Sequence, residues 1–273
     1  VETRAVVVFL DLEDVDDQLV RLFETVFDCA SEGHSHEVLD LMASLLALLI
    51  SEMDDLPQPL LDVILANLLK APAYTFEAAA AAYADSSQSQ SSQESSAGVV
   101  GATAQQGLAK ALLQRCEDKL DQPIARFLTS SIQGDSLSEQ LRNSELRREY
   151  RKVVLAVHAV QPRLLLHVLP TLQSELEVED VTSRKEAIAT LGKVFSAAPK
   201  DGVDTAVDYK HTLFPAFLGR FHDKEKAVRV QMLAWGRLFL ESRHTPAEGA
   251  KKRSGVVSGP AAECAAAVTE RMA

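Results

Sequence analysis

The stretch LFPAFLGRFHDKEKAVRVQMLAWGRLFL, Leu213 to Leu240, decides the fold. Its two apolar ends are split by a charged segment, HDKEKAVR, His222 to Arg229. That pattern predicts two amphipathic helices joined by a short reversing turn. Pro215 enters early in the first helix and bends it. Asp223 lies just ahead of the second, where a carboxylate can accept from free N–H groups. Neither helix can bury its apolar face alone, so the stretch predicts neighbours of the same kind.

A counterpart lies upstream: VLPTLQSELEVEDVTSRKEAIATLGKVF, Val168 to Phe195. Pro170 matches Pro215, Leu172 matches Phe217 and Leu176 matches Phe221. Arg184 matches Arg229, Ala189 matches Ala234 and Phe195 matches Leu240, always 45 residues apart. Two helices per unit and a period in the forties are the signature of HEAT or armadillo arrays, in which stacked units share one continuous core. Pro170, Arg184, Pro215, Asp223 and Arg229 are therefore read as the structural repeat signature. The upstream unit has Val178 opposite Asp223, and Asp180 is expected to substitute. The two arginines, at one register of the repeat at the start of the second helix, are expected to be structural.

The rest of the chain reads as helix, turn, helix. Leu19, Leu22, Phe23, Val26 and Phe27 make one helical stripe ahead of Gly33. HEVLDLMASLLALLISEMDD is apolar over more of its circumference and is expected to be sandwiched between neighbours. LPQPLLDVILANLLKAP starts at Pro57 and Pro59 and stops at Pro72. Composition then breaks at Tyr83 to Gln106, rich in Ser, Gln and Gly, which predicts a disordered insertion. Helical patterning resumes at Gly107, with Pro123 expected to kink or divide it. The expected organisation is helical repeats over 1–82, the insertion over 83–106, and HEAT repeats over 107–273. The clearest units fall at about 162–198 and 207–243. The fold class is all-α: a solenoid of antiparallel helix pairs.

Composition agrees. Hydrophobic residues make up 47% of the 273, enough for a core, yet only 5% are aromatic, which favours helices over strands. The cleanest apolar run, Leu41 to Ile50, is too short for a bilayer, which needs about 20 residues. No signal peptide is read at the start, and Val1 suggests an excised segment. Three scattered cysteines, Cys29, Cys116 and Cys264, give no disulfide framework or metal pattern. The net charge of -11 is concentrated at the front: residues 1–70 carry fifteen Asp/Glu against three Lys/Arg. Such a surface suits phosphate backbone poorly; it either repels nucleic acid or attracts a basic partner segment, and each single carboxylate reads first as part of a solvated helical face.

A narrower likeness covers about Leu12 to Leu240. LEDVDDQLVRLFETVFDCASEGHSHEVLDLMASLL, QPLLDVILANLL, AKALLQRCEDKLDQPIARFL, LLLHVLPTLQSEL and FPAFLGRFHDKEKAVRVQ occur in this order. Together they resemble the N-terminal HEAT-repeat region of the cohesin-associated sister-chromatid cohesion protein (precocious-dissociation-of-sisters) family. The resemblance implies a nuclear, chromatin-associated scaffold that docks on the kleisin subunit of cohesin. It would there control release from chromatin or acetylation-dependent retention, with the cohesin release factor and acetyltransferase as further partners. The family's alanine- and proline-rich loop is expected to lie upstream of residue 1, and its C-terminal half to be absent. The Ser/Gln segment replaces a short inter-helix loop. Another HEAT adaptor, such as a nuclear transport or phosphatase scaffold, is the alternative.

No GxSxG, Walker A or HExxH motif is present, so no enzyme, cofactor or metal is expected. His34 and His36 near Cys29 lack zinc spacing and read as exposed loop histidines. Trp235 reads as core or inter-repeat packing. The most basic segment carries Arg142, Arg147, Arg148, Arg151 and Lys152. Its side chains pair internally with Glu145 and Glu149, or contact a peptide or phosphate. Tight DNA binding and membrane insertion are not expected.

Overall fold

A computed structural model describes residues 12–32, 34–70, 96–133, 145–244 and 259–272. Among them every element is helical apart from one isolated bridge between Lys200 and Val203. The fold is all-α, as the periodicity predicts. The chain forms two compact units, residues 1–127 with 136–156, and residues 128–135 with 157–273.

In the first unit, α1 (Leu12–Ala30), α2 (His36–Glu52), α3 (Gln58–Leu69) and α4 (Ser96–Arg115) pack together, α4 touching the other three. Phe23 and Phe27 of α1, Leu46 and Ile50 of α2, and Leu61, Ile64, Leu65 and Leu68 of α3 are buried. They meet Leu108, Ala109, Leu112 and Leu113 of α4. Pro57 caps α3, and Pro59 stands in its first turn, where a missing N–H costs nothing.

The end expected for the disordered insertion needs correction. Helix α4 begins at Ser96, so residues 96–106 do not belong to an unstructured loop. The side chain of Gln105 is buried and donates to Phe27 O at 2.9 Å, and Gln106 donates to Leu68 O at 3.2 Å. Phe27 and Leu68 lie in the last turns of α1 and α3, whose carbonyls lack intrahelical partners. Two glutamines that look like low-complexity sequence thus satisfy two helix ends. The remainder, 83–95, lies outside the described residues, as do Gly33 and Pro72.

Two further expectations change. The break after α4 falls at Cys116, and Pro123 lies inside α5 (Glu117–Gln133). Helix α2 is not sandwiched among the described residues: it buries Ala43, Leu46 and Ile50 but leaves Leu41, Leu45 and Leu48 exposed. Lys119 Nζ donates to Met53 O at 2.7 Å, which satisfies a carbonyl at the end of α2.

The basic segment is cut into α6 (Glu145–Arg148) and α7 (Tyr150–Val160). In the second unit, 3-10 turns at Pro162–Leu165 and Leu169–Leu176 precede α8 (Val181–Ser196). The short helix α9 (Thr205–Asp208) and then α10 (Leu213–Gly219) lead through a 3-10 turn to α11 (Lys226–His244); α12 (Pro260–Met272) packs on α11. The upstream unit thus opens in 3-10 geometry instead of a bent α-helix. Its first element contacts α10, and α8 contacts α11, so like elements stack on like. Phe195 of α8 meets Phe214 and Phe217 of α10 edge to face, with centroids 5.1 and 5.3 Å apart.

His158 of α7 is buried against Thr205, its Nε2 lying 3.4 Å from the hydroxyl. Burial, then the charge of Lys200, lowers its pKa from 6.5 to about 4. Lys200 is fixed there because its ammonium caps α7 at Ala159 O and Val160 O. With a depressed folded pKa, the neutral ring contributes stability above the unfolded value that is lost as pH falls from 6.5 toward about 4. Urea unfolding at about pH 7 and about pH 4.5 is expected to cost the wild type about 2 kcal/mol more than His158→Gln. Equal losses in both proteins would refute the assignment.

Candidate functional site

The repeat junction is built around Asp223. Its carboxylate is buried and accepts from Arg184 at 3.2 Å, from Arg220 at 3.4 Å and from the N–H of Glu225 at 2.9 Å. Arg184 also donates to Val178 O at 2.6 Å and Glu179 O at 2.8 Å. Arg229 makes the same turn clasp one period later, donating to Asp223 O at 2.8 Å and Lys224 O at 2.9 Å. The matched arginines therefore share one local contact, with carbonyls five and six residues behind them. They differ in the forward contact: Arg184 reaches the carboxylate of the following unit, while no carboxylate pairs with Arg229 among the described residues. Asp180 takes the capping part expected for it, accepting from Ser183 N at 2.7 Å.

The prolines sit at the same end of the first elements, Pro170 in the first turn of its 3-10 segment and Pro215 in the first turn of α10, both exposed. Leu172, Phe217, Leu176 and Phe221 are buried at matching positions. Arg220, which the repeat comparison did not single out, reaches the earlier unit through Leu176 O at 3.2 Å while pairing with Asp223 of its own unit. Gln231 adds a bond to Lys185 O at 2.8 Å. Trp235 is buried against Gly192 of α8, with its ring where a side chain at that glycine would stand.

The basic segment does not form one cationic face. Arg142 lies outside the described residues. Arg147 stands over the Phe127 ring at 5.7 Å and Arg151 over Tyr150 at 4.9 Å. Lys152 bridges Glu149 at 2.5 Å, and Arg148 is exposed. Most of this charge is committed to neighbours within its own unit.

Beside it, α1, α3 and α6 enclose a groove of about 700 Å3. Val20, Val63, Ala66, Leu69 and Leu146 give it an apolar lining, and Glu24, Asp62 and Glu145 stand along it. Burial raises the pKa of Asp62, opposed by a hydrogen bond from Gln58 and the charge of Arg147. Its described lining includes no Ser, Thr, Cys or His. No cluster of three or more metal-ligating side chains exists among the described residues, and no described helix is long and apolar enough to cross a membrane. His34, His36, His167, His211 and His222 are all exposed.

The family profile described as sister chromatid cohesion protein PDS5 matches residues 1–257. Homolog A from Gallus gallus is 28% identical over 221 residues, 81% of this chain and 14% of that protein. Homolog A from Arabidopsis thaliana is 27% identical over 230 residues, 84% of this chain and 12% of that protein. Homolog B from Homo sapiens is 26% identical over 221 residues, covering 81% and 13%. The chain thus spans about one seventh of the length of these relatives. A solved chain from work described as the structure of the Pds5–Scc1 complex and implications for cohesin function has a TM-score of 0.64 at 18% identity, covering 89% of this chain and 33% of that one. That likeness agrees with an all-α HEAT-repeat fold. The ordered sequence match and the 45-residue repeat converge, and the chain belongs to the sister chromatid cohesion protein PDS5 family.

Proposed function

We propose that this chain is a non-catalytic HEAT-repeat segment of a cohesin regulatory scaffold that binds the kleisin subunit and acts in sister-chromatid cohesion. The family match over residues 1–257 carries this reading. Likeness to a chain studied in the Pds5–Scc1 complex supports it. Control of cohesin release or retention, contact with the release factor and acetyltransferase, and a nuclear, chromatin-associated location follow from the same reading. Stacked repeats bind through extended surfaces, so affinity is spread over several units and a short segment holds part of a footprint. Arg147, Arg148, Arg151 and Lys152 contribute at most a peripheral charge contact, since three of the four already have partners or a stacked ring.

The test is a side-by-side titration of the chain with the kleisin N-terminal region and with duplex DNA. Saturable kleisin binding is expected, with weak DNA binding at physiological salt because phosphate contacts need clustered Lys/Arg. Tight DNA binding without kleisin binding would overturn the reading in favour of another HEAT adaptor.

A further inference from the structure

The acidic front of the chain has a place to act. The groove between α1, α3 and α6 is apolar along its floor, and of its titratable lining residues four are acidic and one, Lys70, is basic. Glu149 is already bridged by Lys152. Glu24 and Glu145 are exposed, and the carboxylate of Asp62 is half-buried with only the neutral Gln58 as its hydrogen-bond partner among the described residues. Arg147 offsets part of the charge of Asp62, but the lining keeps more carboxylates than cations, which beside its apolar side chains selects against anions and against a purely apolar partner. It suits a chain that presents aliphatic side chains on one face and ammonium or guanidinium groups beside them.

We propose that this groove docks a cationic amphipathic segment of a partner protein. Aliphatic side chains of the segment pack on Val63, Ala66 and Leu146, and its Lys or Arg groups reach Glu24, Asp62 and Glu145. Residues 63 and 66, with 62 beside them, lie on one face of α3, so the docked segment runs along that helix. The inference concerns a surface of the first unit and stands apart from which cohesin subunit the chain binds.

The probe is a fluorescein-labelled Leu/Lys peptide of about 15 residues with a helical amphipathic pattern, paired with its Leu/Glu counterpart. Both are titrated by anisotropy against the full chain. Saturable binding of the Leu/Lys peptide alone is expected, weakened about tenfold by Asp62→Lys and by Glu24→Lys. Glu37→Lys, an exposed change on α2 outside the groove lining, is expected to alter it less than twofold. Circular dichroism confirms that each variant keeps the wild-type helicity. No saturable binding would overturn the proposal. So would equal binding of the Leu/Glu peptide, or a loss with Glu37→Lys as large as with Asp62→Lys, which is bulk charge attraction.

Discussion

Asp223→Ala is expected to destabilise the second unit by about 3–5 kcal/mol, the cost of leaving a buried charge without its partner. Arg184 is 2% exposed and Asp223 6%, so neither can turn to water when the other is removed. Removing the carboxylate strips Arg184 and Arg220 of their counter-charge and leaves Glu225 N without its acceptor. Arg184→Lys is also expected to be costly. One ammonium cannot hold Val178 O, Glu179 O and Asp223 in the geometry of a planar fork. Arg229→Ala is expected to lose only about 1 kcal/mol, because its two bonds go to carbonyls at a half-exposed turn. Urea unfolding of the three variants gives the comparison. If Asp223→Ala cost no more than Arg229→Ala, the junction would not be held by this pair.

The difference between the two arginines marks where sequence reading stops. The 45-residue period, the prolines and the shared turn clasp are legible because they are local. The following unit is what buries an arginine, and one period does not say how many units follow it. Residues 187, 190, 191 and 194 of α8 and their counterparts 232, 235, 236 and 239 of α11 are all buried. Arg184, Ile188 and Phe195 are buried as well, because the following unit packs on α8, while Arg229, Leu233 and Leu240 are only half-covered. The same rule explains Gln105 and Gln106. Composition assigns them to a polar loop, but their role is set by the ends of α1 and α3, tens of residues earlier. The groove was half legible: the acidic excess of residues 1–70 is plain, but which carboxylates line an apolar hollow depends on how α1, α3 and α6 meet.

Gly192 carries the other large effect, and it separates packing from helix propensity. It lies inside α8, where alanine is normally better than glycine by about 1 kcal/mol. Gly107 of α4 is the reference: a Cβ there meets nothing within 4 Å, so Gly107→Ala is expected to stabilise by up to about 1 kcal/mol. At Gly192 a Cβ would stand 2.3 Å from Cδ2 of Trp235 and 2.7 Å from Cγ and Cε3. The indole is 8% exposed, so it cannot swing away without opening the contact between α8 and α11. Gly192→Ala is therefore expected to cost about 2 kcal/mol despite the better helix former, and Gly192→Val about 3 kcal/mol or more. Trp235 is the only tryptophan, so its fluorescence follows the transition of this interface directly. In a Trp235→Leu background the smaller side chain leaves room for a methyl group, and Gly192→Ala should then lose most of its penalty. An unchanged penalty in that background would mean that the clash lies elsewhere, and a stabilising Gly192→Ala in the wild type would mean that the two helices do not meet through this pair.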